Sequence, residues 1–213
     1  MKKSILTTLI ISSLFLFSFN NGGYEGAMSN NIDAMYKAQG QSELMAIANK
    51  FNRIGAAEKN QWLPYYYSAY CHIMMTTNEE DVTKWDGYLD TAETSISKAE
   101  KLDVDMVELL ALKGFASMMR INVNPAVRGQ EYSMKSVGYL QQANQLDEQN
   151  PRVILMLAQM QFGTAQFFGS GTEKACKMFT RSRELFDLEA EEGRGIQPAW
   201  GRSHAIAMLK NCE

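Results

Sequence analysis

One spacing recurs along this chain and limits its fold more than any other feature. Small or apolar residues step by four and then by three at Ile47, Phe51, Ile54; at Ala92, Ile96, Ala99; at Ser136, Leu140, Ala143; and at Ala175, Phe179, Ser182. That step puts all three side chains on one stripe of a helix. In the first three cases a small residue follows fifteen positions later, at Ala69, Gly114 and Ala158. Each is preceded four positions earlier by an apolar side chain, Tyr65, Leu110 or Ile154. A small residue at that point lets two helices of a pair approach closely. The unit returns every 44 to 45 residues. A single pair cannot bury its own apolar faces, so such units must stack.

The rest of the pattern is helical throughout. Alternating apolar and polar runs bounded by turn signals are missing, which argues against strands. Trp85, Tyr88, Leu89, Ala92, Ile96 and Ala99 form one apolar stripe, with Lys84, Asp86, Asp90, Glu93, Ser97 and Lys101 opposite. Breaks such as Leu102 to Asp105, Asp147 to Pro151 and Gly169-Ser170-Gly171 divide the chain into nine helices. Ser170 with Glu173 three residues on reads as a capping box at the start of the eighth. The ninth, Pro198 to Asn211, is expected to cap the last pair. The expected fold class is all-α: an α-α superhelix of about four helix pairs plus a C-terminal capping helix.

Residues 1–22 read differently. Lys2 and Lys3 precede an apolar run from Ile5 to Phe19, the makeup of a secretory signal. The reading is therefore a signal peptide over 1–22 and a single domain over 23–213. The lysine-only start suggests a bacterial periplasmic or secreted protein. No cysteine follows the run closely enough to accept a lipid, so no stable membrane insertion is expected after signal removal. The whole chain carries a formal charge of −3, and losing Lys2 and Lys3 makes it more acidic. No basic run survives, which argues against nucleic acid.

At the junctions the wording resembles a known family. Ala143 to Ala158, read as AxxLDxxNPxxxxxLA, is similar to the junction between successive tetratricopeptide repeats, and Ala99-Glu-Lys-Leu102-Asp103 echoes it. The family's period is about 34 residues, shorter than here, and a HEAT-like array of about 40 to 47 is the rival architecture. The resemblance implies that the first helices of the pairs line a concave groove. Carried over position by position, it points Tyr66 and Tyr70, Glu108, Phe115 and Met118, and Arg152, Gln159 and Phe162 into that groove. Independently, Arg152, Gln159 and Gln166 recur every seven residues in an otherwise apolar helix, a polar stripe that needs water or a partner.

Chemistry beyond binding finds little support. His72 and His204 are the only histidines, and neither has metal-ligand spacing around it. His72, in a helix of aromatics and methionines, reads as structural. No nucleophile elbow is present. The expectation is no enzyme, no metal and no cofactor. Fourteen methionines, seven of them in first helices of the pairs, fill a core or build an adaptable apolar groove. The sequence thus points to an exported interaction or scaffold module that holds a peptide or protein segment in its groove. A structural envelope protein using its outer surfaces, or an enzyme with an unrecognised site, are the alternatives. Cys176 and Cys212 fall at the start of the eighth helix and the end of the ninth, which an antiparallel arrangement would bring together. Two unpaired cysteines is the other reading. Cys71, deep among aromatics, is expected to stay reduced.

Overall fold

The computed structural model describes residues 21–212, so the expected signal segment lies almost wholly outside the described residues. Among them are nine α-helices and no strand: α1 (Asn21–Lys37), α2 (Gln41–Ala57), α3 (Leu63–Thr77), α4 (Trp85–Ala99), α5 (Met106–Val123), α6 (Pro125–Leu146), α7 (Pro151–Phe168), α8 (Glu173–Glu192) and α9 (Arg202–Leu209). Each helix packs on its neighbours in sequence. The pairs α1/α2, α3/α4, α5/α6 and α7/α8 stack side by side, and α9 closes the last one.

Local chemistry sets the helix starts. Asp105 accepts hydrogen bonds from the N–H groups of Val107 and Glu108 at the head of α5. Asn150 does the same for Arg152 and Val153 at the head of α7, where Pro151 supplies a first-turn φ without needing a donor. Asn124 and Pro125 open α6 in the same way. The Ser170 capping box does not form. α8 begins at Glu173, and Ser170 closes α7 instead, its N–H bonding the Ala165 carbonyl at 2.8 Å. Gly169, at φ 64°, makes the left-handed turn that this ending requires. The ninth helix also starts later than Pro198, at Arg202, just after Gly201 takes φ 113°.

The repeated small residues sit where helices meet. Ala69 and Ala158 are fully buried. At Gly114 a β-carbon would come within 2.6 Å of Leu140 Cγ, and Ser136 Oγ on α6 donates to the Gly114 carbonyl at 2.9 Å. The same device joins α8 to α7, where Ser182 Oγ donates to the Pro151 carbonyl at 2.8 Å. Gly114→Val is therefore expected to pry α5 from α6 and cost about 1–3 kcal/mol. A urea unfolding midpoint unchanged from the parent would refute that reading of the close approach.

Cys176 and Cys212 are bonded, with Cα atoms 5.8 Å apart, and tie the turn after α9 to the first turn of α8. Cys71 is buried and free, and burial pushes its thiol up to about 12. His72 is also buried, its Nδ1 against the Ser68 carbonyl at 2.7 Å. Burial lowers its pKa and keeps it neutral, as a structural histidine should be.

Candidate functional site

Residues of the first helices of the pairs line a cleft of about 1760 Å³. α1 contributes Tyr36, α3 Tyr70 and Met74, and α5 Phe115, Met118 and Met119. α7 adds Met156, Gln159, Met160 and Phe162. The start of α6, from Pro125 to Met134, forms one edge. The other edge is the segment Ala199 to His204 with Met208.

Three rings make the floor. Trp200 stacks on Tyr70 at 5.3 Å and on Phe115 at 5.6 Å between centroids, each at 28° between planes. Trp200 Nε1 donates to the Tyr66 hydroxyl at 2.7 Å, and that hydroxyl reaches Glu108 Oε2 at 3.4 Å. The indole is thus fixed in plane by a buried hydrogen bond and in depth by two rings. Seven methionines line the walls. Their polarizable, unbranched side chains can reshape an apolar wall around a guest. Among the described residues the cleft lining holds no carboxylate and one cation, Arg202 at the rim, which pairs with Asp187 at 2.7 Å. Tyr36 is half exposed at the edge of this lining. At the mouth, Phe167 and Phe168 are 83% and 75% exposed, a large apolar surface for two adjacent residues to leave in water.

Of the residues expected in the groove, Tyr70, Phe115, Met118, Gln159, Phe162 and Gln166 do line this cleft. Tyr66, Glu108 and Arg152 do not. They lie below its floor, at 0%, 1% and 0% exposure. Arg152 donates through Nε to both oxygens of Glu108, at 2.9 and 2.8 Å, and through Nη1 and Nη2 to Glu189, at 2.8 and 2.7 Å. Asn150 Nδ2 adds a bond to Glu108 at 2.8 Å, and Arg194 approaches both carboxylates at 3.5 Å. Two arginines against two glutamates make a neutral set, the condition under which such charges tolerate burial.

The reason is the stretch between α8 and α9. It runs back over the first helices, bringing Arg194 to the ion cluster and Trp200 to the floor, and it hides what the repeat pattern alone leaves open. Tyr67 Oη anchors it by donating to the Ile196 carbonyl at 3.0 Å. Sequence reasoning missed Trp200, His204 and Tyr36 as cleft residues. A crossing segment has no period to read. The only signals were Pro198 two positions before a tryptophan and glycines on either side.

Among the described residues no helix is long and apolar enough to cross a membrane, and no cluster of three or more metal-ligating groups occurs. No family model matches the chain, and no curated protein does. Among solved structures, the chain is similar to the HusA haemophore from Porphyromonas gingivalis, with 30% sequence identity and a TM-score of 0.80, over 91% of this chain and 95% of that one.

Proposed function

The chain belongs to the family of the HusA haemophore, and from that kinship and its cleft we propose that it binds haem or a related flat tetrapyrrole and carries it outside the cytoplasm. The observation that supports this most is the cleft itself: an aromatic floor, seven methionines in the walls and no carboxylate. A tetrapyrrole is broad, flat and apolar, and its acidic groups sit at one edge. Apolar walls that adapt and a floor that stacks suit its faces. A carboxylate in the lining would repel its acidic edge, and none lines the cleft among the described residues. The cleft exceeds the roughly 300–1,000 Å³ usual for a small-molecule pocket, which leaves room for a large ring. Export fits a disulfide between Cys176 and Cys212, which an oxidising compartment preserves, and fits a signal over residues 1–22.

Titrating the purified protein with protoporphyrin IX and with haem tests this; with Trp62 and Trp85 replaced by Phe, Trp200 is the sole tryptophan, and its emission should be quenched as the cleft fills. Met118 is half-buried in the wall, so Met118→Glu should fold while placing a charge against the ring. It is expected to weaken binding at least about tenfold. Equal binding by this variant would move the ligand out of the cleft.

A second reading keeps a peptide or protein segment in the same groove. It is favoured by the polar groups on α7 that face it, Gln159, Thr164 and Gln166, which could bond an extended backbone. Saturating the cleft with porphyrin should then release a partner captured from envelope extract. A partner that stays bound points to the outer surfaces instead.

A further inference from the structure

Exposed apolar surface is not spread evenly over this molecule. Ten large hydrophobic side chains are exposed among the described residues, and four of them, Tyr36, Met134, Phe167 and Phe168, line the cleft. The two phenyl rings are the extreme case. They sit edge to face on the last turn of α7, with centroids 5.0 Å apart. The helix ending does not use them. Its bonds run from the N–H groups of Gly169 and Ser170 to the carbonyls of Gln166 and Ala165. The residue that often adds an apolar contact at such an ending is here the polar Ser170. Earlier on the same helix, Phe162 also lines the cleft but is buried, 6.0 Å from Phe179 between centroids. From Phe162 to Phe168 the helix climbs about 9 Å, at 1.5 Å per residue. α7 thus carries an apolar track that begins in the buried wall and runs on into water at the mouth.

We propose that Phe167 and Phe168 form an outer grip on the tetrapyrrole, covering the part of the ring that projects past the buried walls and setting how long it stays bound. The inference rests on the tetrapyrrole reading above and adds to it a second contact zone beyond the Trp200 floor. The phenyl rings continue the cleft's own lining, so the guest that fills the cleft is the one that reaches them. A flat π-system suits them, because aromatic rings pack on one another face to face with an offset or edge to face. Apolar surface that the empty protein leaves in water is covered when such a guest arrives. The last turn of α7 is also built to adjust. A β-carbon at Gly163 would meet nothing within 4 Å, and Thr164 Oγ1 donates back to the Met160 carbonyl at 2.7 Å, a bond that tends to bend helices. Between Gly163 and Phe168 only Ala165 is buried, so little packing holds the two rings in one place.

The experiment compares the parent with two double variants, Phe167→Ser plus Phe168→Ser and Phe167→Tyr plus Phe168→Tyr. Both positions are exposed, so each double should keep the parent's circular dichroism and urea midpoint. Stopped-flow absorbance then follows protoporphyrin IX on and off each protein. The serine double should release the ring about 10–100-fold faster, while its association rate stays within about threefold of the parent's. The tyrosine double keeps the aromatic faces and should release the ring at the parent's rate, within about threefold. Release from the serine double as slow as from the parent would overturn the grip. So would tyrosine and serine doubles that lose the ring equally fast. In either case Met118→Glu, which acts inside the cleft, still weakens binding and leaves the tetrapyrrole reading standing. If the parent binds neither protoporphyrin IX nor haem, that reading falls and this one with it.

Discussion

Arg152→Ala is expected to destabilise the protein by about 3–5 kcal/mol, because it strands Glu108 in the core without its partner. The Arg152 guanidinium is fully buried and satisfies two carboxylates at once. Its charge is strongly favoured there: burial alone would lower its pKa, but the hydrogen bonds it donates to Glu189 and the field of Glu108 outweigh that and raise it. Removing it leaves Glu108 with Asn150, Tyr66 and the more distant Arg194. Pairing Arg152→Met with Glu108→Leu should recover much of the loss, since both buried charges then leave together. Equilibrium urea unfolding of the two single variants and the pair measures the coupling. A cost below about 1 kcal/mol for Arg152→Ala would mean that water reaches the cluster. The trace should also show in the cleft, because Trp200 hangs from Tyr66, whose hydroxyl leans on Glu108.

The second large effect concerns the Cys176–Cys212 bond. It closes a loop of 36 residues in sequence. In the chain-entropy model such a loop is worth about 3–4 kcal/mol. Cys212→Ser, or reduction of the parent, should lower the unfolding free energy by about that amount. α9 is short and rests mainly on α8, so it should be the part that loosens. Since α9 bears His204 and Met208, and Trp200 lies just before it, ligand binding should weaken in step. Cys71 gives an internal control. Buried and with its pKa pushed up to about 12, it should resist alkylation until the protein unfolds, when the unreduced parent shows one thiol. Three thiols in the unreduced parent would refute the bond.

How far the sequence could be read depended on whether a feature has a period. The helix count, the pairing and the packed positions Ala69, Gly114 and Ala158 were legible because 3.6-residue periodicity and close approach leave marks at fixed spacing. Six of nine expected groove residues face the cleft for the same reason. Glu108 and Arg152 occupy equivalent first-turn positions on α5 and α7, which the repeat presents on its concave side. Whether they meet solvent is decided by residues 193–201, a stretch without regular structure. Its path is set by Gly193, Gly195 and Gly201 at positive φ and by single contacts to distant side chains. Such contacts have no local signature. The kind of guest was equally hidden. Methionines and aromatics at helical spacing fill cores and line clefts alike, and only the packing separates Met75, buried in the core, from Met74, on the cleft wall.

That crossing stretch also alters how the molecule should come apart. In an ordinary stack of helix pairs each unit touches only its neighbours, so ends fray and halves can melt separately. Here Trp200 bonds Tyr66 across 134 positions of sequence, and Tyr67 bonds Ile196 across 129. The last element is thereby fastened to the second pair, and the open array becomes a closed circuit. Freeing α9 takes apart the cleft floor and exposes the ion cluster beneath it. Circular dichroism and tryptophan emission should therefore trace one cooperative transition with a single midpoint. Long-range closure of this kind also raises contact order, so refolding should be slower than for a linear repeat protein of equal length.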